Sequence, residues 1–393
     1  MVTPAEFRED YGIDARILHE VTEIDLKSRR VLVRSIEEHK EWWEAFDHLM
    51  IATGAVPILP AVPGSDARGV YGLHSLQSGI TVRNVVDTEK PKKAVVIGGG
   101  YIGLEMAEAL IMRDLDVSLV EQASQVMNTL DPDMGVLVSD ALMHVGVELF
   151  REETYKGIEV SDGRVRAVVT NHRTIPADIV ILGLGVRPNT ELAGRAGISL
   201  GVREAIKVND RMQTASPGVW AAGDCAESFH LVSRRHVHIA LGTIANKQGR
   251  VAGINLGGGY ATFPGVVGTA VSKICAVEVA RTGLQEREIM SLGREYVVGR
   301  IESTTRASYY PHAGEITVKA LAEKGSGKLL GAQIVGVEGA AKRIDIFATA
   351  LHAGLTVEDM INLDLSYAPP YSGVWDPVHL AVRRAAAALA GRP

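Results

Sequence analysis

The stretch KKAVVIGGGYIGLEMAEALIMRDLDVSLVEQ, residues 92–122, carries the most information in the chain. Ala94 to Ile97 is a short apolar run of the kind that forms a buried parallel strand. It ends in Gly98, Gly99 and Gly100, and Gly103 completes G-x-G-x-x-G. Glycines at these places permit a tight turn and a close backbone approach to a pyrophosphate. The helix that opens with Tyr101 and Ile102 then aims free N–H groups and its positive dipole end at that anion. A second apolar run, Val117 to Val120, ends in Glu121, about twenty residues beyond the glycines. A carboxylate there accepts hydrogen bonds from both ribose hydroxyls and repels a 2′-phosphate, so the pattern predicts a dinucleotide site that favours NADH over NADPH. A plain Gly-rich turn would leave the position of Glu121 unexplained.

The rest of the composition sets bounds on the function. The chain has 393 residues, enough for two or three domains with large cores. Net charge is −6 with no basic tract, which argues against nucleic acid as a partner. Cys225 and Cys275 are the only cysteines and lie in no metal-ligand or redox spacing, so no disulfide framework is expected and a cytoplasmic location fits. The N-terminus lacks the apolar region of a signal peptide, and no apolar run approaches the roughly 20 residues of a membrane span.

Taken in order, Pro4–Tyr11 reads as a polar helix, residues 15–24 and 31–33 as two paired strands, and residues 46–51 as a strand ending in Thr53-Gly54. A proline-rich linker follows. After Glu121, Asp131-Pro132 marks a helix start and Gly146 its stop. Strands are expected at 155–160, 165–170 and 178–184, the last followed by Gly185. At 217–224 a strand runs into Gly223-Asp224, and a helix over 240–253 begins at Ala240-Leu241. Beyond Phe263 the pattern changes to strands at 271–279, 296–301, 316–321 and 329–337. Helices follow at 340–352, from Thr356, and at 378–390, which predicts an α+β module. His236 and His238 share a strand face with no acidic or thiol partner nearby, so no metal site is expected.

Several motifs together give a resemblance. They are IATGAVP (51–57), VVIGGGYIGLEMAEAL (95–110), LGVRPNTELA (184–193), TASPGVWAAGDCAE (214–227), ANKQGRVAGIN (245–255), FPGVVGTAVSKICAVEVARTGL (263–284), SYYPHAG (308–314) and LSYAPPYSGVWDPV (365–378). In this order they resemble the flavoprotein pyridine nucleotide-disulfide oxidoreductases, most nearly the coenzyme A-disulfide reductase / NADH oxidase branch. The likeness covers essentially the whole chain. It implies doubly wound, Rossmann-like FAD- and NAD(P)H-binding domains with a C-terminal α+β dimerisation domain. The expected boundaries are 1–90 and 207–262 for the two parts of the FAD domain, 91–206 for the NAD(P)H domain and 263–393 for a homodimer-forming module. The resemblance places Gly98–Gly103, Glu121 and Gly185 on NADH. It places Thr53, Gly54, Gly223, Asp224, Ala240 and Leu241 on FAD, and Glu105 near the contact of nicotinamide and flavin. Tyr309, Tyr310, Tyr367 and Tyr371 would reach the partner's active site.

Members of that family begin with a βαβ unit that carries a first glycine motif and is followed by a redox cysteine. The sequence matches from beyond both, and neither Cys225 nor Cys275 fits the redox role. The reaction implied is hydride transfer from NADH to FAD and on to a small-molecule disulfide such as CoA disulfide, to O2 or to peroxide. Two other readings fit the residues: a dinucleotide-binding dimer that holds FAD weakly, and a cysteine-independent reductase of a small redox protein.

Overall fold

A computed structural model describes residues 2–391, which form two compact units. The first takes residues up to Ala55 together with Arg187–Phe229 and His236–Gly265. Its helix Pro4–Tyr11 starts on a reciprocal cap: Glu6 N donates to Thr3 Oγ1 at 3.2 Å and Thr3 N donates to the Glu6 carboxylate. Three antiparallel strands follow, His19–Asp25, Arg30–Ser35 and Glu41–Ala45. The first begins at residue 19 rather than 15. The third was not expected from sequence, because Glu41-Trp42-Trp43-Glu44 sets two adjacent tryptophans, one half-buried and one exposed, between carboxylates and has little aliphatic content. Leu49–Ile51 and Val219–Ala221 pair in parallel, and Ile51, Val219 and Ala221 join Ile24, Ile206 and Cys225 in the core. Helix Gly242–Leu256 starts two residues later than expected.

The second unit holds two five-stranded sheets. One is parallel, in the order Val70–Gly72, Ile179–Leu182, Lys93–Ile97, Asp116–Val120, Glu148–Phe150. Helices Leu76–Glu89, Tyr101–Ile111 and Pro132–His144 bury Val82, Leu104, Ala107, Met134, Val138 and Leu142 in the core beside it. Strand Val70–Gly72 and helix Leu76–Glu89 therefore belong with the glycine motif, and the boundary expected at residue 90 moves toward residue 56. The helix escaped notice because only Val82 and Val86 along it are buried. A smaller antiparallel sheet, Tyr155–Ser161, Arg164–Thr170 and Thr174–Pro176, contains the two strands expected at 155–160 and 165–170 and a short third that was not expected.

The second large sheet is antiparallel, in the order Ala270–Ile274, Val277–Gly283, Leu329–Gly336, Glu315–Glu323, Tyr296–Thr304. The single strand expected at 271–279 is thus a hairpin that turns at Cys275, whose φ is +55°. No Gly, Asn or Pro marks this turn in the sequence. Helices Ile344–Ala353 and Pro377–Leu389 bury Ile344, Phe347, Val378, Ala381 and Ala385 with the sheet's Val318, Ala332 and Ile334. A Cβ on Gly299 would lie 2.2 Å from the Ala381 carbonyl oxygen, so this glycine sets how closely strand and helix approach.

Candidate nucleotide and electron-transfer sites

The glycine turn closes on itself tightly. Gly98 has φ +101°, and a Cβ on Gly103 would lie 1.9 Å from the Gly98 carbonyl oxygen. Gly183, at the end of the neighbouring strand, fits against the Gly103 backbone, where its own Cβ would come within 2.9 Å of the Gly103 Cα. Gly100 is the N-cap of helix Tyr101–Ile111 and supplies no side chain to the cap. The helix N–H groups are left for a ligand, a cradle that suits a pyrophosphate. Gly185, with φ +86°, stands in open space just past the strand Ile179–Leu182.

Glu121 ends the strand Asp116–Val120 and is only 6% exposed. Its Oε2 accepts from Gly99 N at 2.7 Å, and its Oε1 accepts from Ala123 N at 2.8 Å and from Asn128 Nδ2 at 3.5 Å. The carboxylate is thereby fixed beside the turn, with lone pairs remaining for a ribose diol. Tyr101 and Ile102 are half-buried in the first helical turn. The Tyr101 phenol accepts from Thr129 Oγ1 at 3.2 Å, and burial pushes its pKa up, so it stays neutral. Glu105, one turn along, is exposed and accepts from Ser272 Oγ at 2.7 Å. The structure therefore brings Gly98, Gly100, Tyr101, Ile102, Gly103 and Glu121 together, with Glu105 beside them on the same helix.

In the first unit, Thr53-Gly54 and Gly223-Asp224 follow the C-terminal ends of two adjacent parallel strands, the edge where doubly wound sheets bind ligands. Thr53 Oγ1 donates to the Asn189 carbonyl at 2.6 Å, and Asn189 N donates to the Gly54 carbonyl at 2.9 Å. Gly54 and Gly223 have φ of +67° and +82°. Gln248, fully buried, accepts from Gly223 N at 2.9 Å and donates to Ser228 Oγ at 2.9 Å. His238 Nε2 donates to the Asp224 carbonyl at 2.7 Å. The half-buried Asp224 carboxylate has no hydrogen-bond partner among the described residues, which fits a group reserved for a ligand hydroxyl. Leu241 is the N-cap of helix Gly242–Leu256 and lacks a side-chain cap bond, so Ala240 and Leu241 lead into a second open helix N-terminus. Gln248 and His238 were not singled out as clamps in the sequence, since nothing local links them to Asp224.

His236 differs from expectation. Its Nδ1 lies 3.1 Å from a carboxylate oxygen of the buried Glu227, which the hairpin Ser228–His230 and Arg235–Val237 brings back to it. An acidic partner was therefore present, and it and the Asp224 carbonyl occupy the two imidazoles separately. Among the described residues, Asp131, Asp133 and Glu286 converge as a metal site might, but Lys319 Nζ sits among them at 3.1, 2.7 and 2.5 Å.

The loops that carry Tyr309-Tyr310 and Tyr367–Tyr371 meet through their backbones. Ala307 N donates to the Pro369 carbonyl at 3.1 Å and so joins their two loops, and Tyr309 hydrogen bonds to Tyr367, which raises the Tyr309 pKa. Tyr309 and Tyr371 are each 75% exposed. Both cysteines are buried, and burial raises both thiol pKa values. Cys225 Sγ donates to the Ala222 carbonyl at 3.3 Å. Neither is a nucleophile.

The family described as pyridine nucleotide-disulphide oxidoreductase matches residues 6–249, and its dimerisation domain matches residues 269–378. An NAD(P)H sulfur oxidoreductase (CoA-dependent) of Pyrococcus abyssi is 38% identical over 382 residues, 97% of this chain and 84% of that protein. An NADH oxidase of Methanocaldococcus jannaschii is 37% identical over 394 residues, 100% of this chain and 87% of that protein. The solved structure of a NAD-dependent persulfide reductase from A. fulgidus is similar with a TM-score of 0.95 at 39% identity, covering 98% of this chain and 72% of that one.

Proposed function

The chain belongs to the pyridine nucleotide-disulphide oxidoreductase family, whose members are FAD- and NAD(P)H-dependent oxidoreductases, and we propose that it oxidises NADH in preference to NADPH and reduces a CoA-linked disulfide. The observation that carries this reading is Glu121, a buried carboxylate fixed by Gly99 N and Ala123 N beside a glycine turn too tight for any side chain at Gly103. The balanced reaction is NADH + H⁺ + RSSR′ → NAD⁺ + RSH + R′SH. When bound, the nicotinamide supplies a hydride and the flavin relays the two electrons to the acceptor.

The chain's own residues bind and orient. The N-terminus of helix Tyr101–Ile111 holds the pyrophosphate, and Glu121 accepts the ribose hydroxyls. Gly185 leaves room for the nucleotide along the strand edge. Thr53, Gly54, Gly223 and Asp224 hold the ribityl side of FAD, and Leu241 opens a helix N-terminus toward the flavin ring. Glu105 orients the nicotinamide end, held by Ser272. Residues 1–55 and 187–265 serve the flavin, 56–186 the nicotinamide nucleotide, and the C-terminal module forms a homodimer. In that dimer, Tyr310 and Tyr371 meet the partner's acceptor. Two buried free thiols fit a reducing compartment such as the cytoplasm, and no helix among the described residues is long and apolar enough to cross a membrane.

A second reading, direct reduction of O2, is favoured by the burial of Cys225 and Cys275, since it needs no thiolate relay. NADH consumption by the FAD-loaded protein, measured anaerobically with CoA disulfide and aerobically without it, separates the two. Thiol release in proportion to NADH supports the disulfide acceptor. NADH consumption that requires O2 and ignores CoA disulfide supports the oxidase, and no consumption with either contradicts both.

A further inference from the structure

The segment between Glu121 and helix Pro132–His144 touches the dinucleotide site at three consecutive residues. Met127 N donates to the Gly99 carbonyl at 2.7 Å, Asn128 Nδ2 reaches Glu121 Oε1 at 3.5 Å, and Thr129 Oγ1 donates to the Tyr101 phenol at 3.2 Å. Its far end is held by the antiparallel sheet. Asp131 N donates to Gln333 Oε1 at 2.8 Å, and Gln333 Nε2 donates back to Asp131 Oδ2 at 2.7 Å. Asp131 Oδ1 accepts from Glu286 N at 3.0 Å, and Lys319 Nζ lies 3.1 Å from Asp131 Oδ2. Gln285 Nε2 also donates to the Asn128 carbonyl at 3.0 Å.

Two features of this network mark it as more than packing. Asp131 is the N-cap of helix Pro132–His144, yet its carboxylate makes no cap bond to that helix and is spent on Gln333 of the sheet and on Glu286 N. An N-cap aspartate otherwise stabilises its helix by accepting from a first-turn N–H. Lys319, Asp131 and Gln333 are all at most 2% exposed. Desolvating such groups offsets most of their attraction, so a buried network of this kind is weak as a source of stability and strong as a source of fixed geometry.

We propose that Gln333 and Lys319 are positioning residues for the nicotinamide nucleotide: through Asp131 they fix residues 127–129, and these set the spacing between Glu121 and the glycine turn. The sheet of the C-terminal module thereby takes part in NADH affinity and in discrimination against NADPH. The inference rests on the reading of Gly98–Glu121 as the NADH site.

The test compares NADH and NADPH dissociation constants, by fluorescence titration of the whole FAD-loaded chain, for the wild type, Gln333→Met and Lys319→Met, with unfolding midpoints measured alongside. Gln333→Met keeps the Lys319 ion pairs and a similar shape, so it serves if Lys319→Met fails to fold. The expected result for Gln333→Met is NADH binding weakened about tenfold, the scale of one hydrogen-bonded anchor, with NADPH binding changed less so that the preference narrows. A lower unfolding midpoint with both dissociation constants unchanged overturns the proposal and leaves the site reading intact. A wild type that binds neither nucleotide overturns the site reading and this proposal with it.

Discussion

Gly103 and Gly98 meet at a distance that admits no methyl group, since the added carbon would lie 1.9 Å from a carbonyl oxygen. Gly103→Ala must push apart the strand Lys93–Ile97 and the helix Tyr101–Ile111. It is expected to abolish NADH binding and to lower stability by about 1–3 kcal/mol, read from urea unfolding beside a nucleotide titration. A second residue gives a pH dependence. His230 is buried, its Nδ1 accepts from Ser233 N at 3.2 Å, and burial lowers its pKa to about 4, with Arg281 lowering it further against Glu288. The folded protein thus keeps the ring neutral while the unfolded chain titrates near the ordinary value of 6.5. Stability from this group is fully present above pH 6.5, falls as pH drops toward 4, and changes no further below that, with a span of up to about 3 kcal/mol. The difference in urea stability between the wild type and His230→Gln should shrink across that window. An unchanged difference from pH 7 to pH 4.5 would show that His230 does not titrate as described.

At the scale of elements, the last helix shows how a local signal becomes a tertiary anchor. Asp376 caps Pro377–Leu389 through Val378 N at 2.9 Å, and its other oxygen takes Arg343 Nε at 2.9 Å and Ser372 Oγ at 3.0 Å. Arg343 in turn donates to the Tyr371 and Thr305 carbonyls, so the tyrosine loops hang on this carboxylate. Asp376→Ala strips Arg343, whose side chain is 11% exposed, of its carboxylate partner and is expected to cost about 3 kcal/mol in equilibrium unfolding. A loss under 1 kcal/mol would contradict a structural role for the pair. Much at this scale was legible beforehand. Asp131-Pro132 and the glycine turn carry strong local signals. What was not legible lacks such signals. Cys275 adopts a left-handed turn that only the surrounding hairpin enforces, and Glu41–Ala45 is a strand because two neighbours already pair beside it.

Over the whole molecule, the long-range pairs were the hidden part. Lys319 meets Asp133 across 186 residues and Gln333 meets Asp131 across 202, distances over which no spacing rule operates. The glycine motif and Glu121 were readable because their partners lie within one βαβ unit. The clamps on Gly223 and Asp224 were not, because Gln248 and His238 come from other elements. At this scale the C-terminal module should make the protein a dimer, with sedimentation velocity giving twice the chain's mass. Tyr371→Ala should leave that mass unchanged while lowering turnover with CoA disulfide more than the rate of NADH binding. A monomer at micromolar concentration would contradict the proposed assembly.

The account turns on NADH bound between the glycine turn and Glu121, and anaerobic mixing of NADH or NADPH with the FAD-loaded protein tests it most directly. The expected result is bleaching of the flavin absorbance by NADH at much lower concentration than by NADPH, with the two brought closer together by Glu121→Ser. Flavin that stays oxidised with NADH, or a nucleotide preference untouched by Glu121→Ser, would contradict it.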